Sequence, residues 1–112
     1  MFKVSETEKE FRFGDSGPKY LMRGPRLSVG IVVLQPGQDF KKHYHPHMEE
    51  NFLIVEGRVD IYVDGVKFAC RPGDMVHAEP KETHYLVNSY DEPVRAVFIT
   101  GPFTENDKVE VD

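Results

Sequence analysis

The chain predicts an all-β fold, a sandwich or closed barrel of short strands. Three observations carry this reading. No segment long enough for a helix shows a 3.6-residue apolar period with caps. Short runs rich in Val, Ile, Phe and Tyr recur instead, interrupted by Gly, Pro and Asp roughly every ten residues. Within several runs apolar and polar residues alternate, as in strands with one buried face.

The first candidates are "EFRF" (10–13), "KYLMR" (19–23) and "LSVGIVVL" (27–34). Pro36-Gly37 then supplies a turn before "FKKHYH" (40–45), which Pro46 ends because it has no N–H for a ladder. "ENFLIVE" (50–56), "RVDIYV" (58–63) and "VKFAC" (66–70) follow, then "MVHA" (75–78), "HYLVNS" (84–89) and "VRAVFIT" (94–100), with turn chemistry at Pro72-Gly73 and Glu92-Pro93. Asp64-Gly65 is the strongest local signal, a two-residue hairpin turn whose central positions both need positive φ. It sets Val63 opposite Val66, Ile61 opposite Phe68 and Val59 opposite Cys70 on one apolar face. Asp60, Tyr62, Lys67 and Ala69 take the other face.

The chain's 112 residues fit one domain, 1–112, with no internal boundary or repeat. The net charge of −5, from 14 basic and 19 acidic residues, disfavours nucleic acid and anionic membrane as partners. No run of about eighteen apolar residues occurs, and "MFKVSETEKEFRF" carries acids where a secretory signal has an apolar core, so the expected location is cytoplasmic. The single Cys70 forms no intrachain disulfide and reads as a small core hydrophobe. Residues 1–9 and the tail "TENDKVEVD" read as frayed termini or as edge strands offered to a partner subunit.

"HYHPHMEE" (43–50) concentrates three of the five histidines. His43 and His45 lie two residues apart on a strand, so both side chains leave one face. With 46–49 as a turn, Glu50 would stand across from His45 on that face, while Glu49 points away. His47 reads as a turn or rim residue, and alternation in "MVHA" puts His77 outside. His84, opening "HYLVNS", is the candidate fourth donor; alone it would equally suit a structural role. Spacing at this level fits a metal centre and a polar loop alike.

The stretch from Gly37 to Asn88 resembles the two-part signature of the cupin superfamily. G(X)5HXH(X)3,4E(X)6G is met by Gly37, His43, His45, Glu50 and Gly57 with every spacer correct. G(X)5PXG(X)2H(X)3N is met in spacing from Gly73 through His84 to Asn88, but Glu79 replaces the usual proline and Lys81 the usual glycine. Those departures alter a turn and leave the donors intact.

The resemblance implies a double-stranded β-helix, the jelly-roll barrel, in which His43, His45, Glu50 and His84 hold one metal ion. Three imidazoles and a carboxylate suit a divalent first-row ion: manganese, iron, nickel, cobalt or zinc. Phe52, Ile54, Leu86 and Phe98 are expected to line an apolar pocket. Asn88 is expected near it, and Lys41 at its mouth facing a substrate carboxylate. The resemblance implies an oxygenase, decarboxylase, lyase or isomerase acting on a small molecule, or alternatively a ligand-binding or sensing module. It also implies a homodimer built through the amino-terminal strands "EFRF" and "KYLMR".

Overall fold

The computed structural model describes residues 1–112, in ten strands. They are β1 (Gly17–Arg23), β2 (Ser28–Leu34), β3 (His43–Tyr44), β4 (Glu49–Glu56) and β5 (Val59–Val63), then β6 (Val66–Cys70), β7 (Met75–Ala78), β8 (His84–Val87), β9 (Val94–Gly101) and β10 (Val109–Glu110). One sheet has the order β1-β2-β9-β4-β7, the other β10-β3-β8-β5-β6. From β3 to β9 the chain passes repeatedly between the sheets, which is the winding of a double-stranded β-helix. No helix is long and apolar enough to cross a membrane.

Alternation decides what each sheet buries. Val32, Leu34, Phe52, Ile54, Ala96 and Phe98 from the first sheet meet Val59, Ile61, Val63, Cys70 and Leu86 from the second in one core. Each fully buried aliphatic side chain contributes about 1.5–3 kcal/mol relative to exposure. Gly30 belongs to this inner face by necessity, because a Cβ there would lie 2.3 Å from Phe98 Cζ.

The hairpin forms in the expected register, with φ of 47° at Asp64 and 81° at Gly65. The apolar face it is expected to bury is only partly covered: Val66 and Phe68 are 55% and 44% exposed, because β6 is the last strand of its sheet. Residues 10–13 are also not a strand. They form a turn closed by a Phe11–Gly14 bridge and pinned by Arg12 N donating to Pro18 O at 3.0 Å. Within 40–45 only His43 and Tyr44 are strand residues.

The termini are ordered against the body of the chain. Glu6 pairs with Arg95 at 2.9 Å and Lys19 at 3.6 Å. In the tail, β10 pairs with β3, placing Val109 opposite Tyr44, and Asp107 is buried. β1 pairs with β2 of its own chain.

Candidate metal centre

His43 of β3 and His84 of β8 are direct cross-strand partners. Glu50 comes from the opposite sheet, where it sits between Ala78 of β7 and Thr100 of β9. The expected His45–Glu50 pairing across a hairpin is therefore wrong in its route. Residues 45–48 carry the chain from one sheet to the other, and Glu50 meets the histidines across the barrel interior.

The four side chains nonetheless converge. Glu50 Oε1 lies 2.9 Å from His84 Nε2, 3.1 Å from His45 Nε2 and 3.9 Å from His43 Nε2. All four are buried, and one donor atom from each lies within 4.8 Å of the others.

The far nitrogen of each ring is fixed by the backbone. His43 Nδ1 bonds Lys41 O at 2.8 Å, His84 Nδ1 bonds Glu82 O at 2.9 Å, and His45 Nδ1 bonds Asp107 O at 3.1 Å. A carbonyl can only accept, so every Nδ1 carries its proton and every neutral ring turns an Nε2 lone pair inward. Three lone pairs aimed at a carboxylate repel unless a cation lies among them. Burial opposes charge on Glu50, but the three imidazoles around it outweigh burial and hold the carboxyl well below its usual range, His45 and His84 standing at hydrogen-bond distance for whichever Nε2 takes up a proton. Burial likewise opposes charge on His45, yet Glu50 and the Asp107 carbonyl raise its affinity for a proton above the ordinary imidazole value. A proton or a metal ion is the cation this arrangement demands. The donor set and tautomers fit a divalent ion.

A cavity of about 120 Å³ opens onto the cluster. Phe52, Leu86 and Phe98 line it, joined by Val32, Phe40 and Tyr20, whose ring meets Phe98 edge-on at 5.3 Å. Ile54 is packed in the core, away from the cavity wall. Asn88 is fully buried in another role: Nδ2 donates to Leu34 O at 3.0 Å and Glu92 O at 2.8 Å, tying the turn before β9 to β2. The Lys41 side chain is exposed and outside the cavity wall, and its carbonyl is what serves His43. His77 is on the outer face, bonded to Asn51 Oδ1 at 2.7 Å and to Glu79, which raises its proton affinity.

Sequence reasoning missed Asp107 altogether. Its carboxylate accepts from His47 N and Met48 N, both at 2.9 Å, and from His47 Nδ1 at 2.7 Å, while its carbonyl orients His45. A lone aspartate in a polar tail carries no pattern that reports burial.

The cluster, the cavity and the doubly wound sheets define a β-barrel that could hold a metal ion at one end of an apolar chamber. The chain belongs to the cupin family, whose cupin-domain model matches residues 30–100. Among curated proteins it is similar to the polyketide synthase CurC of Streptomyces cyaneus, 34% identical over 74 residues, covering 66% of this chain and 48% of that protein. It is similar to quercetin 2,3-dioxygenase of Bacillus subtilis (strain 168), 29% identical over 68 residues, covering 60% of this chain and 20% of the dioxygenase. The chain thus spans about half the length of CurC and a fifth of the dioxygenase. A conserved double-stranded β-helix protein from Klebsiella pneumoniae superposes with a TM-score of 0.84 at 22% identity, over 100% of this chain and 98% of that one. Its likeness bears on the fold.

Proposed function

We propose that His43, His45, Glu50 and His84 hold one divalent first-row ion, drawn from manganese, iron, nickel, cobalt or zinc, and that residues 1–112 act as a single-domain, metal-dependent enzyme on a small organic molecule. One observation carries the reading: three backbone carbonyls fix three buried imidazoles so that their Nε2 lone pairs meet one carboxylate oxygen. A bound ion of this class supplies Lewis-acid, templating or redox chemistry to a molecule beside it. The chain's own contribution is orientation and exclusion of water. Phe52, Leu86, Phe98, Val32 and Phe40 wall an apolar chamber, so a ligand there is desolvated and held against the polar end.

Kinship to quercetin 2,3-dioxygenase favours oxygen chemistry, with decarboxylase, lyase and isomerase activities as the alternatives. A second reading, a ligand-binding or sensing module with a metal anchor, is favoured by the lining itself. Outside the four donors, its titratable side chains are Tyr20, Arg12 and Lys108, an arrangement without a carboxylate or imidazole base. Turnover of a panel of enolizable and phenolic compounds by metal-loaded protein separates the two, and ligand retention without turnover supports the second.

The metal is tested directly. Protein purified without chelator should carry close to one equivalent by elemental analysis, and His84→Ala should lose most of it. Full occupancy in His84→Ala would overturn the assignment. We further read the protein as a cytoplasmic homodimer. The buried free Cys70 suits a reducing compartment; in place of the amino-terminal interface expected above, where 11–14 form a turn and β1 already pairs with β2, exposed Met75, Leu53 and Ile99 on the outer face of β7, β4 and β9 suit a second copy. Sedimentation of Leu53→Lys against the unaltered chain checks the dimer.

A further inference from the structure

The mouth of the cavity is built by the two ends of the chain, and both supply a cation. Arg12 comes from the turn at 11–14, anchored on β1 through Arg12 N to Pro18 O and on the bend before it through Phe13 N to Ser16 O, both 3.0 Å. Lys108 lies between buried Asp107 and β10, which pairs with β3. Their backbones are fixed while both side chains reach solvent.

Neither cation is held by a close or buried carboxylate. The chain has five more acids than bases, and several cations on the body of the fold do find carboxylates, Lys19 and Arg95 on Glu6 and Lys67 on Asp60. Arg12 has no carboxylate within 4.0 Å, and Lys108 reaches only Glu110, at 4.0 Å. The one acid in the cavity wall is Glu50, at the bottom and committed to three histidines. With a divalent ion beside Glu50 the chamber carries a net charge near +3 over apolar walls. Such a field selects anions.

We infer that the small molecule taken by this site is an organic carboxylate, its apolar body against Phe52, Leu86 and Phe98, its carboxylate at the rim between Arg12 and Lys108, and its other end at the metal cluster. This rests on the proposed metal site and adds the substrate class to it. Arg12 and Lys108 are binding residues here. They select the ligand and take no part in bond making.

The test uses full-length protein loaded with Co²⁺, with 3,4-dihydroxybenzoate and its neutral amide as probes, each binding followed by calorimetry and by the visible Co²⁺ spectrum. The acid should bind about tenfold more tightly than the amide, equivalent to about 1.4 kcal/mol. Raising salt from 50 to 500 mM should shrink that ratio, since rim charges are screened. The double variant Arg12→Gln/Lys108→Gln should bring the ratio near one by weakening the acid far more than the amide, with Co²⁺ occupancy retained. Arg12→Lys/Lys108→Arg, which keeps both charges, should retain most of the preference. An equal affinity for acid and amide in the unaltered protein overturns the inference. So does a preference that survives the double glutamine variant, which would assign anion selection to the metal alone. Co²⁺ uptake is read first and separately. If none is taken up the metal reading fails, and the same two probes on metal-free protein still decide whether the rim selects carboxylate.

Discussion

Replacing Asp107 by Ala should unfasten the turn that carries His45 and His47. The carboxylate accepts two backbone N–H bonds of 2.9 Å from His47 and Met48 and one of 2.7 Å from His47 Nδ1. Losing the acceptor strands two partly buried N–H groups, at a cost of about 2–4 kcal/mol together. The His47 ion pair adds little, because that imidazole is 71% exposed and solvent screens it, so His47→Ala should cost no more than about 1 kcal/mol. Burial would push the Asp107 carboxyl up, but the His47 side chain and the His47 and Met48 amides outweigh it and hold it below the usual range. A depressed carboxyl contributes stability that is fully present above its unfolded value and lost as pH falls through the folded one. The gap between the unaltered chain and Asp107→Asn should thus be flat near neutrality and narrow below about pH 3.8. Urea unfolding followed by tyrosine fluorescence measures this, since the chain has five Tyr and no Trp. Because the Asp107 carbonyl orients His45 Nδ1, metal affinity by chelator competition should also fall, by about 10- to 100-fold. Unchanged urea midpoint and unchanged affinity in Asp107→Ala would refute the link between tail and site.

Lys81 occupies the usual glycine position with φ of 74°, so Lys81→Gly should relieve left-handed strain and stabilise the protein by about 0.5–1 kcal/mol. Gly30→Ala should cost about 1–3 kcal/mol. Its Cβ would force Phe98 and the Lys19 carbonyl apart, and loss of ligand affinity by calorimetry would report the narrowed cavity. In the metal-free protein His45 binds its proton more tightly than a free imidazole, so metal uptake at pH 6 should release about one proton. The stability supplied by the His45–Glu50 pair is present below the ordinary imidazole value and fades as pH rises through the raised one. Metal affinity should climb over that same interval, and calorimetry in buffers of different ionisation heat measures both effects.

What the sequence disclosed follows the range over which each signal acts. Asp64-Gly65 specifies a hairpin by itself, and its five pairs form in the expected register. The parity of His43 and His45 is equally local, and both side chains are buried beside His84. Glu50 reached the cluster by a path that local reasoning misassigned, since nothing in "PHME" says that the chain changes sheets there. Phe68 was expected in the core because alternation reports which face a side chain takes and is silent on whether a sheet covers it. Asp107 and Lys108 lie in a tail whose polarity resembles a frayed end, and Arg12 lies in "EFRF", which reads as a strand and forms a turn. Their roles depend on contacts across the whole chain, such as the 62-residue separation of His45 and Asp107.

These long separations bear on how the site and the fold support each other. Two of the four donors sit on one pair of strands, a third follows β3 under the control of the C-terminal tail, and the fourth faces them from the other sheet. An unfolded chain offers at best the local His43-X-His45 pair, so an ion that engages all four binds the native state preferentially. Its binding energy then appears as folding stability, about 2.7 kcal/mol when free metal exceeds the dissociation constant a hundredfold. The same ion would join the two sheets at the open end of the barrel, where the apolar core gives way to the cavity. Without it, Glu50 and the proton on His45 provide a weaker clamp that fades as pH rises. The cluster would therefore have a structural consequence whatever reaction it supports: if an ion is bound there, its removal should loosen β3, β10 and the Asp107 tail together, because His45 connects them.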